Sequence, residues 1–135
     1  MPHDVAHRIP AAAVLPLSGA TRVNLGIVGT FDVENYGDLL FPLLARAELA
    51  RRLPAVAITA FSYNARTAPP WPYDVRPVAS LVDGGADLAG LLIGGGQLVR
   101  TDAYFPIPVP AGTVTPYDVW LFPALAALAL GIPFA

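Results

Sequence analysis

The sequence predicts an α/β domain, a parallel sheet with helices on both faces, and three observations carry that prediction. Short apolar runs recur at residues 23–30, 55–61, 88–93 and 132–135, as strands buried on both faces require. Each is joined to the next by a connection long enough for a right-handed crossover, so the strands are expected to lie parallel. Charged residues make up only 13% of the chain, against a usual share of about 25%. Little of the sequence therefore suits water, and much of its surface is expected to meet more protein.

Taken in order, residues 1–21 hold Pro2, Pro10, Pro16 and Gly19 with no sustained period and are read as a flexible leader. The domain proper is assigned to 22–135. Its first strand, 23–30, ends in Gly29 and Thr30. Asp38 then precedes an apolar stripe of Leu39, Leu40, Leu43, Leu44, Ala47 and Ala50, which predicts a helix over 38–53. Pro42 falls in or just after the first turn of that helix, and Pro54 marks its stop.

Strand formers Val56, Ile58 and Phe61 define the second strand. Residues 62–77 contain Pro69, Pro70, Pro72 and Pro77 and read as a long excursion with a short extended piece at 73–76. One or two helical turns are expected at 78–83. The third strand, 88–93, runs into Gly94, Gly95 and Gly96. A Pro-rich stretch over 105–116 leads to a helix at 117–130 and the opening of a fourth strand at 132–135. An apolar strand is an unusual place for a boundary, so the chain is expected to be the truncated part of a larger protein.

Composition narrows the function. All eight basic residues are Arg and the net charge is −2, which leaves no electrostatic footprint for nucleic acid. There is no Cys, and the two His, His3 and His7, fall in the leader, so no metal site is expected. Residues 11–17 are too short and lack a clean basic flank for a signal peptide. Residues 119–135 are uncharged, but Pro123, Gly131 and Pro133 divide them into a helix and a strand, so no integral membrane segment is expected. The expected location is the cytoplasm.

Ligands of parallel α/β sheets sit beyond the carboxyl ends of the strands, which directs attention to two loops. The first, residues 29–38, packs Asp32, Glu34 and Asp38 with Asn35 and two glycines. Gly37 suits a tight turn and Asp38 an N-cap. Asp32 and Asn35 could hold a sugar hydroxyl, although an Asx-turn explains each equally well. Tyr36 suits packing better than titration. The second loop places Gly94, Gly95 and Gly96 at a strand end, where backbone amides can approach a ligand closely, as they also do in a plain tight turn. Neither loop carries the glycine spacing of a dinucleotide site or the Lys of a P-loop. No cofactor is therefore expected.

Together, Gly29-Thr30-Phe31-Asp32, Asn35-Tyr36-Gly37-Asp38-Leu39-Leu40, Leu92-Ile93-Gly94-Gly95-Gly96 and the closing Leu130-Gly131-Ile132-Pro133 resemble the polysaccharide pyruvyl transferase family over residues 23–135. The resemblance implies the Rossmann-like amino-terminal half of a two-domain, GT-B-like enzyme. It implies transfer of pyruvate from phosphoenolpyruvate, as donor substrate, to a sugar of a cell-surface glycan as a ketal, in polysaccharide or exopolysaccharide biosynthesis. Asp32, Asn35, Tyr36, Gly37, Asp38, Gly94, Gly95, Gly96 and Arg100 are then the expected substrate-binding residues. Arg66 and Arg100 follow strands and could face the cleft, though a solvated surface arginine is the plainer reading of each. That chemistry needs cations for the donor, an acid and a base, which are expected in a missing carboxy-terminal domain. The fragment alone is expected to be inactive. Two alternatives stand beside this reading: half of a GT-B glycosyltransferase using a nucleotide sugar, and a non-catalytic remnant.

Overall fold

The computed structural model describes residues 22–84, 87–94, 107–110, 112–115 and 117–135. The expected leader, 1–21, lies outside them. The described chain builds an α/β fold, a four-stranded parallel sheet with helices on both faces. Its strands are β1 (Val23–Val28), β2 (Val56–Ser62), β3 (Val75–Pro77) and β4 (Gly90–Ile93). They are ordered β3-β2-β1-β4, and every pairing is parallel. Residues 132–135 add a further parallel bridge, Leu91 to Phe134, on the outer edge of β4. Three of the four predicted strands thus lie in one parallel sheet, and the fourth, 132–135, meets its edge through a single parallel bridge.

β3 was expected only as a short extended piece. It pairs with β2 through Ala60–Val75, Phe61–Arg76 and Ser62–Pro77. The Pro-rich stretch over 105–116, to which the sequence reading assigned no element, holds an antiparallel hairpin, β5 (Ile107–Val109) with β6 (Gly112–Val114). Three-residue strands are too short to show a hydrophobic period, which is why the hairpin escaped and β3 was read only as an extended piece.

Side-chain alternation along the strands divides the core in two. On one face Val28, Phe61, Tyr63 and Leu91 join Leu88, just ahead of β4, and Val78, Leu81, Ala126 and Ala127, the last four drawn from a 3-10 turn (Val78–Ser80), α2 (Leu81–Gly84) and α3 (Tyr117–Leu130). On the other, Ile27, Phe31, Ala60 and Val75 pack with Ala45 of α1 (Tyr36–Ala50) and with Trp71, Tyr73 and Leu92. Gly26 lies at the crowded centre of the first face, where a Cβ would come within 2.6 Å of the Leu91 side chain.

Two helix details depart from expectation. α1 begins at Tyr36, not Asp38, and ends at Ala50, not residue 53. Pro42 is therefore its seventh residue, inside the helix, where it removes the backbone bond to the Asp38 carbonyl. α3 matches the expected 117–130. It ends in a Schellman motif, with Gly131 at φ +69°, its N–H donating to Leu128 O at 3.3 Å and that of Ile132 to Ala127 O at 3.0 Å. From Val119 onward α3 is apolar on every side, so Leu121, Leu125 and Leu128 remain exposed while Pro123, Ala126 and Ala127 are buried.

Candidate functional site

β1 is followed by α1 and β2 on one side of the sheet, while β4 lies on its other side, so the strand order reverses between β1 and β4. Such a reversal opens a crevice beyond the strand ends, the usual ligand position in this architecture. Both loops singled out in the sequence arrive there. The Gly94 N–H donates to Val28 O at 3.0 Å, and a Cβ on Gly29 would lie 2.8 Å from Gly94 O. The backbones meet here with no side chain between them. Gly95, Gly96 and Arg100 lie outside the described residues.

The loop after β1 is built from the inside out. Phe31 is wholly buried and plugs the sheet end. Asp32, 2% exposed, turns inward: its carboxylate accepts the Ser62 hydroxyl at 2.5 Å, the Asn64 N–H at 3.0 Å and the Asn64 Nδ2 at 2.9 Å. Ser62 Oγ in turn accepts the Phe31 N–H at 3.0 Å. Two further bonds run back from the loop after β2, Arg66 Nε to Asp32 O and Trp71 Nε1 to Phe31 O, both 2.9 Å. The loops after β1 and β2 are thereby laced into one structure, and Asp32 is its knot. A carboxylate so engaged shapes a site; it offers no free oxygen to a ligand.

Expected roles at the start of α1 are exchanged. The N-cap is Asn35, in extended conformation, whose Oδ1 accepts the Gly37 N–H at 3.2 Å. Asp38 stands at the third helical position instead. Its Oδ2 accepts Thr30 Oγ1 at 2.7 Å and Asn35 Nδ2 at 3.0 Å, which ties the helix start to the end of β1. Helix position decides the matter: a cap must precede the first helical residue, and the helix starts two residues earlier than the apolar stripe suggested. Gly37 is the second helical residue, with ordinary φ, so no left-handed turn is needed there. Tyr36 does not pack; it is 78% exposed. Beneath this turn the Tyr73 hydroxyl donates to Leu39 O at 2.9 Å. Burial, and secondarily the Asp38 charge, push its pKa up to about 12.

An open groove of about 680 Å³ lies outside the laced loops, lined by Asp32, Val33 and Glu34 on one wall and Ala65, Arg66, Thr67, Pro70 and Trp71 on the other. Sequence reasoning placed the site between the first and third strand ends and passed over Ser62, Asn64, Thr67 and Trp71. The signal was available: residues 62–77 also follow a strand's carboxyl end, so the same topological rule applies to them. Among the described residues no group of His, Asp or Glu could hold a metal ion. No described helix is long and apolar enough to cross a membrane. Comparison with protein families, with curated proteins and with solved structures finds no match to this chain.

Proposed function

We propose that this chain forms the amino-terminal, Rossmann-like half of a polysaccharide pyruvyl transferase-like, GT-B-like enzyme, and supplies the acceptor-side wall of its cleft. The observation that supports this reading is the meeting of Gly29 and Gly94 at the reversal of strand order. It brings the Asn35–Asp38 element and the opening of the glycine run, the two segments that carry the family resemblance, to one edge of the sheet. In the proposed reaction two hydroxyls of one sugar add to C2 of phosphoenolpyruvate. One hydroxyl proton passes to the methylene carbon, making a methyl group, and the other leaves with inorganic phosphate as the C2–O bond to phosphate breaks. The part of this chain is positional: Asp32, Asn35 and Asp38 hold the loop that faces the acceptor.

The test is incubation of the complete two-domain enzyme, with the proposed carboxy-terminal half present, with phosphoenolpyruvate and pyranoside acceptors. Release of phosphate, with a new ketal methyl signal in the proton spectrum, is the expected result. Release of a nucleoside diphosphate from nucleotide sugars, without use of phosphoenolpyruvate, would replace this reading by that of a glycosyltransferase.

A further inference from the structure

We propose that the groove between Glu34 and Trp71 is a subsite for one uncharged pyranose ring, held by Arg66, Glu34 and Thr67 on its hydroxyls and flanked by Trp71, one face of whose ring already carries the Arg66 guanidinium. The inference deepens the transferase reading and rests on it for the choice of a sugar among neutral polyols. Three observations carry it. First, the groove is large enough: at about 680 Å³ it falls within the roughly 300–1,000 Å³ of small-ligand sites. It also lies at the carboxyl ends of β1 and β2.

Second, its walls are fixed before any ligand arrives. Trp71 is held by its indole N–H on Phe31 O. Arg66 is held by Nε on Asp32 O, by backbone bonds in both directions with Val75 at 2.9 Å, and by its guanidinium 5.2 Å from the Trp71 ring centre. Prior ordering of this kind removes much of the entropic cost of binding.

Third, the unspent polar groups match a neutral polyol. Among the described residues, the Arg66 Nη1 and Nη2, the Glu34 carboxylate and the Thr67 hydroxyl make no hydrogen bond. They offer donors and acceptors together, as sugar hydroxyls require. A diphosphate would set its charges beside Glu34 and Asp32 with one guanidinium in compensation, and an aliphatic ligand would strip water from Arg66 and Glu34 without replacing it.

The experiment follows the Trp71 indole N–H in nitrogen–proton correlation spectra of the full chain. The signal is assigned with Trp120→Phe, and methyl glycosides of the neutral hexoses and N-acetylhexosamines are titrated one at a time. The expected result is a saturable shift with at least one glycoside. Glu34→Ala, at an exposed side chain without a protein partner, should weaken it about tenfold, the worth of one hydrogen bond to a charged group. Uridine diphosphate should cause no shift. Absence of a shift across the panel, undiminished binding in Glu34→Ala, or displacement of the glycoside by uridine diphosphate would each overturn the proposal. Glycoside binding by this chain without phosphate release from phosphoenolpyruvate by the two-domain enzyme would instead refute the transferase reading and leave the subsite standing. Phosphate release without a Trp71 response would do the reverse.

Discussion

Replacing Asp32 by Ala tests whether this residue knots the two loops together or serves a ligand. In the folded chain the substitution leaves the Ser62 hydroxyl, itself wholly buried, without its acceptor, at a cost of about 1–3 kcal/mol. The two Asn64 donors are only partly buried, so water replaces some of what they lose and they add about 1 kcal/mol together. Relief from burying a carboxylate offsets part of this, and the small void left behind adds to it. The expected net loss is about 3 kcal/mol, a large share of the ~5–15 kcal/mol that holds an ordinary domain. Urea denaturation followed by circular dichroism measures it, with a lowered midpoint and an unchanged slope as the expected signature. Asp32→Asn keeps one acceptor oxygen and should lose about half as much. In a double-mutant cycle with Ser62→Ala the two sites should couple by about 0.5–3 kcal/mol. A loss below about 1 kcal/mol for Asp32→Ala would refute the knot, and with it the claim that the groove is pre-built.

Other substitutions separate capping, crowding and burial. Asn35→Ala should lower stability by about 1 kcal/mol as a lost N-cap, seen as a reduced midpoint in the same denaturation assay. Gly29→Ala drives a Cβ to within 2.4 Å of the Phe31 ring and 2.8 Å of Gly94 O. It should cost about 3 kcal/mol or more, whereas Gly37→Ala meets only Asn35 Oδ1 at 3.6 Å and should gain about 0.5–1 kcal/mol by melting temperature. Tyr73 has a folded pKa near 12, against 10 when unfolded. Its neutral form therefore favours the fold fully below pH 10, and that contribution is lost as pH rises from 10 through 12. Tyr73→Phe should flatten stability against pH in that interval, and ultraviolet titration of phenolate in the wild type should place one ionisation near pH 12.

Much of the fold was legible because its signals are long or chemically unambiguous. A buried parallel strand shows as a mostly apolar run, and β1, β2 and β4 each provide one, interrupted only by Asn24 in β1 and by Thr59 and Ser62 in β2. α3 could be placed at both ends because Pro116 precedes it and Gly131 supplies the positive φ that stops it. The start of α1 was misplaced by two residues for a physical reason: Tyr36 and Gly37 contribute nothing to the apolar stripe. A helix begins where its first amide is capped, not where its buried face begins. That displacement moved Asp38 from cap to tie and Asn35 from ligand candidate to cap.

The site was harder to read because its residues are brought together by long-range bonds between chemically ordinary side chains. Nothing local to Asp32 announces Ser62, thirty residues away, and nothing local to Trp71 announces the Phe31 carbonyl it caps from forty residues away. Both partners became predictable only once β1 and β2 were known to be adjacent and parallel, since parallel neighbours deliver their following loops to the same edge. The general lesson for this architecture runs from topology to chemistry. A polar residue just beyond a strand end should be paired first with the residues just beyond the neighbouring strand ends, and only the groups left over are available for a ligand. Applied here, that subtraction removes Asp32, Asn35 and Asp38, three of the carboxylates and amides that drew attention in the sequence. It leaves Glu34, Thr67 and the outer nitrogens of Arg66 facing the groove.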